Sequence, residues 1–206
     1  MSMHQIVLSD KQQSILPLVN HFSNEFGLVG GTAIALQLGH RQSIDFDLFK
    51  NGELELFSLR KQILDYFPIE RVMVENSSEL TLMVNGVQLT LLNYPFSIKF
   101  TTPFEDIIKM PTLLQLAAMK AFALNKRAKW KDYIDLFFIL KRHSLQEIIN
   151  ECLQIYGSEF SEKLFREQLS YFDDIDYSEK VQFLPGNEVS DDRVKEELKI
   201  ISLEKI

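Results

Sequence analysis

Apolar positions at the start of the chain recur at helical spacing. Ile15, Leu16, Val19, Phe22 and Phe26 share one face, and Ser9 with Gln12 three residues on forms a capping box ahead of them. Pro17 predicts a late start or a kink in this helix, and Gly27 ends it. A short apolar lead-in, Leu28-Val29, then meets a Gly30-Gly31 turn. Thr32 to Leu38 predicts a short helix, which Gly39 closes in a left-handed conformation. From Ile44 to Leu48 the period changes to two. Ile44, Phe46 and Leu48 face one way, Asp45 and Asp47 the other. A helical segment over Glu53 to Tyr66 stops at Phe67-Pro68. Strands follow over Ile69 to Asn76, Leu80 to Val84 and Val87 to Tyr94. Asn85-Gly86 between the last two is a two-residue hairpin signal.

Beyond about Thr101 the pattern turns helical. Phe104 to Lys109 predicts a helical turn. Pro111-Thr112 opens a helix with Gln115 as capping partner and Leu113, Leu116, Ala117 and Ala121 as its apolar face. Further helices are expected over Asp132 to Arg142, from Ser144 (capped with Glu147) to Gly157, over Ser161 to Phe172 and over Asp191 to Ile201. Asp173-Asp174-Ile175-Asp176 is an acidic break, and Val181 to Glu188 a loop or short strand. The prediction is an α+β chain: residues 1–100 form a small mixed sheet with helices, and residues 101–206 a helical domain.

Composition narrows the setting. A chain of 206 residues with 46% hydrophobic and 25% charged residues can bury a proper core. No apolar run is long enough to span a bilayer. The N-terminal segment lacks a basic-then-apolar signal pattern, and the single cysteine, Cys152, rules out an internal disulfide framework. The expectation is a cytoplasmic protein without membrane contact. The net charge of −7 means that any nucleic-acid contact must come from a local basic patch. Lys126, Arg127, Lys129 and Lys131 around Trp130 form one. Two readings of it stand: a surface for an RNA backbone with Trp130 stacking on a base, or a solvated loop anchored by a buried Trp130.

Chemistry concentrates between Leu28 and Phe49. The first N–H groups of a helix behind a Gly-Gly turn lack intrahelical partners and bind anions such as phosphate. Asp45 and Asp47 follow on one strand face. Magnesium takes hard oxygens, usually one or two carboxylates plus substrate phosphates. The run Gly30-Gly31-Thr32-Ala33, then Leu38-Gly39-His40-Arg41-x-Ser43, then Asp45-x-Asp47-Leu48-Phe49 resembles the AbiEii/AbiGii-type nucleotidyltransferase toxins of the polymerase-beta-like superfamily. A second run resembles the same family: Lys120, then Arg127, then Lys131-Asp132-x-x-Asp135-Leu136.

The resemblance implies a polymerase-beta-like nucleotidyltransferase domain followed by a helical domain, with the active site in the cleft between them. It implies transfer of a nucleoside monophosphate from a nucleoside triphosphate to a hydroxyl, with release of pyrophosphate. Asp45 and Asp47 would hold Mg2+, with Mn2+ as the alternative ion. Gly30, Gly31 and Thr32 would hold the triphosphate, assisted by Arg41, Ser43 and Arg127. Lys120, Lys131 and Asp132 join the two strand acids as catalytic candidates. The implied partners are the nucleoside triphosphate, an RNA acceptor (tRNA in some relatives) and a cognate antitoxin of a toxin–antitoxin or phage-defence pair. Residue spacing alone also allows a plain structural reading, in which Arg127 pairs with Asp132 or Asp135 near a helix N-terminus.

One residue departs from the family pattern. Its sheet usually offers a third carboxylate ahead of a Tyr-Pro pair, and here Thr90 stands at that place, before Tyr94-Pro95. A threonine hydroxyl is no general base near neutral pH. Either the acceptor, a water or a remote acid substitutes, or the chain is a non-catalytic nucleotide-binding module with a degenerate site. Cys152 reads as a small buried residue, and His40 as a phosphate contact or a surface cap. His4, His21 and His143 have no metal-ligand spacing.

Overall fold

Alternation of apolar and polar residues builds the central sheet. The computed structural model describes residues 3–204, and the chain divides into two compact units, Met1–Thr112 and Leu113–Ile206. In the first unit two short helices, α1 (Asp10–Ser14) and α2 (Leu16–His21), precede strand β1 (Gly27–Val29). Helix α3 (Gly30–Leu38), strand β2 (Asp45–Lys50) and helix α4 (Leu56–Leu64) follow. Strands β3 (Ile69–Glu75), β4 (Glu79–Val84) and β5 (Val87–Asn93) complete a sheet of order β1-β2-β5-β4-β3. Only the β2–β5 pair is parallel, because α4, β3 and β4 intervene in sequence; the other neighbours are antiparallel.

Leu28, Phe46, Leu48, Leu80, Leu82, Leu89 and Leu91 are all fully buried. Cross-strand register puts Asp47 opposite Val29 on one side and Thr90 on the other, and Thr90 opposite Thr81. One row across the sheet therefore reads Val29, Asp47, Thr90, Thr81. Helix α3 packs against β1 and β2, so the Gly-Gly turn and the strand acids belong to one rigid corner. The β4–β5 hairpin turns through Asn85 and Gly86, both at positive φ as a two-residue turn demands.

Several boundaries differ from the sequence reading. The first helix is broken at Ile15, and Pro17 sits in the first turn of α2, where its missing N–H costs nothing. Helix α2 stops at His21, so Phe26 is buried from a turn, and Gly27 starts β1 rather than ending a helix. Phe100 fills the space where a Cβ on Gly27 would stand. Ile44 alternates with Phe46 and Leu48, which are buried, yet it is 66% exposed, because strand pairing begins only at Asp45. Residues Phe104 to Lys109 are not a helical turn. They join β6 (Thr102–Phe104) to β7 (Ile108–Met110) as a hairpin, with Glu105 in the left-handed region. Phe104, Ile108 and Met110 alternate inward at period two, which a helix would not allow.

The second unit holds α5 (Leu113–Leu124), α6 (Trp130–Ile139), α7 (Leu145–Tyr156), α8 (Glu162–Ser170) and α9 (Asp191–Ser202). Helix α7 has the Ser144/Glu147 capping box, and its buried stripe of Ile148, Ile149 and Cys152 packs on α5. The Cys152 thiol donates to the Ala118 carbonyl at 3.6 Å, and desolvation pushes its pKa up, as for a small buried residue. The segment 181–188 is a loop pinned by the buried Leu184. No helix among the described residues is long and apolar enough to cross a membrane.

Candidate active site

The Gly-Gly turn is shaped by what approaches it. Gly30 has φ +70°, and a Cβ there would lie 2.1 Å from Asp47 Oδ2. A Cβ on Gly31 would lie 2.7 Å from Arg41 Nη2 and 3.2 Å from Ser43 Oγ. Gly30 is thus required by its left-handed backbone and by Asp47, while at Gly31 the Arg41 guanidinium and Ser43 leave little room for a side chain. Thr32 lies in the first turn of α3. Its buried hydroxyl donates to the Asp45 carbonyl and lies 2.9 Å from Ser43 Oγ, strapping α3 to the beginning of β2. Arg41 is buried and donates from Nη1 to the Gln42 carbonyl at 2.9 Å. His40 is fully buried, so the surface-cap reading is corrected.

Gly30→Ala therefore meets two penalties, a left-handed backbone and an oxygen inside contact distance. The backbone term alone costs about 1–2 kcal/mol. The expected outcome is a lower melting temperature together with weaker nucleotide binding, measured by calorimetry. Gly52→Ala is the control: nothing lies within 4 Å of its Cβ position, while its φ of +135° keeps the backbone strain.

Asp45 and Asp47 are half-buried, and the next two residues in the Asp47 row, Thr90 and Thr81, carry hydroxyls. Thr81 Oγ1 donates to Glu79 Oε1 at 2.7 Å and lies 3.2 Å from Thr90 Oγ1. Thr81 and Thr90 are both buried. Among the described residues no group of three or more His, Cys, Asp or Glu side chains gathers as a metal cage.

The second constellation is a buried charge cluster. Lys120 on α5 donates to Asp132 and lies 3.1 Å from Asp135 Oδ2, both carboxylates on α6 being fully buried. Arg127 Nε is 3.4 Å from the other Asp132 oxygen, Oδ2. Seven residues apart, Lys120 and Arg127 would share one face of a continuous helix. Helix α5 ends at Leu124, so Arg127 reaches Asp132 from the following turn instead. Trp130 is the buried anchor of the two readings left open. Its Nε1 donates to Asp191 at 3.1 Å, and Tyr133 and Tyr177 pack on its ring. Lys131 belongs to the first turn of α6, whose N-cap is Lys129.

Glu179 has no counterpart in the sequence reading. It accepts from both Lys129 and Lys131, while Lys129 also forms a β-bridge with Asp176. Desolvation alone would raise the Glu179 pKa, but hydrogen bonds from the two lysines outweigh it and hold the carboxyl down at about 2. The pair contributes stability that is full above the ordinary glutamate range near pH 4.5 and is lost as pH falls toward 2. Glu179→Gln is expected to remove this acid-side loss from the melting profile. It should also raise affinity for inorganic triphosphate by at most about fivefold, the ceiling for a partly exposed ion pair. The gain should shrink in high salt, and unchanged affinity at low salt would separate Lys129 and Lys131 from anion binding.

Known proteins resemble this chain in sequence and in fold. The model of the AbiEii nucleotidyl transferase toxin family, a type IV toxin–antitoxin system, matches residues 69–183. The chain belongs to this family. It is 30% identical over 158 residues to the uncharacterized protein aq_aa25 of Aquifex aeolicus (strain VF5), covering 73% of this chain and 75% of that protein. Among solved structures it is similar to MenT4, the nucleotidyltransferase toxin Rv2826c of Mycobacterium tuberculosis H37Rv. The TM-score is 0.60 at 12% identity, over 94% of this chain and 83% of that one. It is also similar to JHP933 from Helicobacter pylori, with TM-score 0.57 at 16% identity, over 95% and 91% of the two chains. At such identities the likeness establishes the fold alone. That fold, a small mixed sheet with helices, is shared with nucleotidyltransferase toxins, as expected from the sequence.

Proposed function

We propose that the protein is a magnesium-dependent nucleotidyltransferase that moves a nucleoside monophosphate from a nucleoside triphosphate to a hydroxyl of RNA, as the toxin of a toxin–antitoxin pair. The observation that carries this reading is the corner formed by Gly30, Gly31, Arg41, Ser43 and Asp47. Two glycines are held open there by a carboxylate on one side and a guanidinium on the other. The donor set suits the ion. Asp45 and Asp47 are hard carboxylate ligands on one strand face, and phosphate oxygens and water complete a magnesium shell. Bound there, magnesium would neutralise phosphate charge and polarise the transferred phosphoryl group.

The chain's own residues do the remaining work. The Gly30-Gly31 backbone and Arg41 hold and orient phosphate, and Thr32, bonded to Ser43 and to the Asp45 carbonyl, fixes the start of β2 relative to the turn. Lys131 offsets phosphate charge once it exchanges Glu179 for phosphate. Lys120 and Arg127 orient Asp132. Family membership supports a cognate antitoxin as protein partner.

Thr90 favours a second reading, a nucleotide-binding module without transfer. One assay separates the two. The protein is incubated with each α-labelled nucleoside triphosphate, magnesium and total RNA, and label is sought on RNA or protein. Label transfer supports the enzyme. Saturable nucleotide binding with no transfer supports the module.

A further inference from the structure

The position of the missing acid is connected to another one. Thr90 stands beside Asp47 in the strand row, on the sheet face that carries both candidate metal ligands. Thr81 is its cross-strand partner. Glu79, two residues before Thr81 on β4, falls on the same face. Side-chain contacts follow that placement: Thr81 Oγ1 lies 3.2 Å from Thr90 Oγ1 and 2.7 Å from Glu79 Oε1. A threonine hydroxyl carries one proton and two acceptor lone pairs. With the Thr81 proton on Glu79, the longer contact is made by Thr90 donating to Thr81, and Thr90 keeps a lone pair to accept a proton. Both threonines are buried, so bulk water does not interrupt the chain.

We infer that Glu79 replaces the family's third carboxylate at a distance, as terminal proton acceptor for the attacking hydroxyl through Thr81 and Thr90. This rests on the transferase reading above. As the acceptor oxygen bonds to the α-phosphorus, the bond from that phosphorus to the oxygen bridging to the β-phosphate breaks. Pyrophosphate leaves with the bonding pair. The acceptor's proton passes to Thr90 Oγ1, the Thr90 proton to Thr81, and the Thr81 proton to the Glu79 carboxylate. The catalytic contact is made by Thr90; Thr81 and Glu79 act through it. Deprotonating the nucleophile remotely in this way needs no acid at position 90.

Steady-state transfer kinetics on the full chain test the relay. Thr81→Val and Glu79→Gln should each lower kcat by about a hundredfold, the lower range for general-base assistance, while KM and calorimetric affinity for nucleotide hold. Thr81→Ser keeps the hydroxyl and should recover most of the loss, which a packing role for the methyl group would not allow. In a Thr90→Asp background, Thr81→Val should cost little further, because a carboxylate then accepts the proton directly. If the parent transfers nucleotide and Thr81→Val and Glu79→Gln do so equally fast, the relay is wrong and the transferase reading stands. The relay is equally overturned if Thr81→Ser is as slow as Thr81→Val. If the parent neither binds nor transfers nucleotide, the reading of the site falls and the relay falls with it.

Discussion

Asp47→Asn is expected to lose metal-dependent nucleotide transfer by about a thousandfold or more. A bound metal supplies several kcal/mol of charge stabilisation, and each 1.36 kcal/mol is tenfold in rate. Asp47 is the strand acid most tightly built into its corner. Its carboxylate closes on Gly30, and its row neighbour is Thr90, a neutral residue that cannot replace the charge. Asparagine keeps the shape and one oxygen, so the backbone of β2 has no reason to move. Calorimetry with a nucleoside triphosphate should show the magnesium-dependent part of the affinity gone, with the same weak binding in chelator as the parent. A cooperative melt in chelator guards against a folding defect. Parent-like affinity in magnesium would remove Asp47 from the site.

The largest stability effect is expected from Lys120→Met. Lys120 bridges Asp132 and Asp135, two fully buried carboxylates that would otherwise face each other on one turn of α6. Removing the cation of a buried pair typically costs about 3–5 kcal/mol, because the partner charge stays behind without water. That is a large share of a total stability of about 5–15 kcal/mol. Denaturant unfolding should show the loss directly. Adding Asp132→Asn and Asp135→Asn to the same chain should return much of it, since the uncompensated charge is what costs. If Lys120→Met unfolds at the parent's midpoint, the cluster is no stabilising pair, and its lysine is held for phosphate alone. Parent-like stability with weakened triphosphate affinity would say so.

The sheet and the site corner were legible because their signals are local. Asn85-Gly86 is a turn only one hairpin register fits, and counting outward from it pairs Thr81 with Thr90 and Glu79 with Leu92. The Glu79 connection was therefore within reach of the sequence, since Glu79 stands two residues before Thr81 on the same strand face. Asp45 and Asp47 share a face by simple alternation, and the Gly-Gly pair announced a close approach. What approached was not readable, since Arg41, Ser43 and Asp47 close on the turn only through the packing of α3 on β2. Glu179 was hidden for the same reason. Its partners Lys129 and Lys131 lie 50 and 48 residues away in the chain. The hairpin from Thr102 to Met110 was misread as helical because its strands are only three residues each, too short for period two to stand out.

Comparing where the label travels tests the transferase claim most directly. One nucleoside triphosphate is supplied twice, labelled on the α-phosphorus and on the γ-phosphorus, with magnesium and total RNA. Label from the α-position should enter RNA while the γ-label appears only in pyrophosphate, and Asp47→Asn should stop both. Label passing to RNA or protein from the γ-position, or equal transfer by Asp47→Asn, would contradict it.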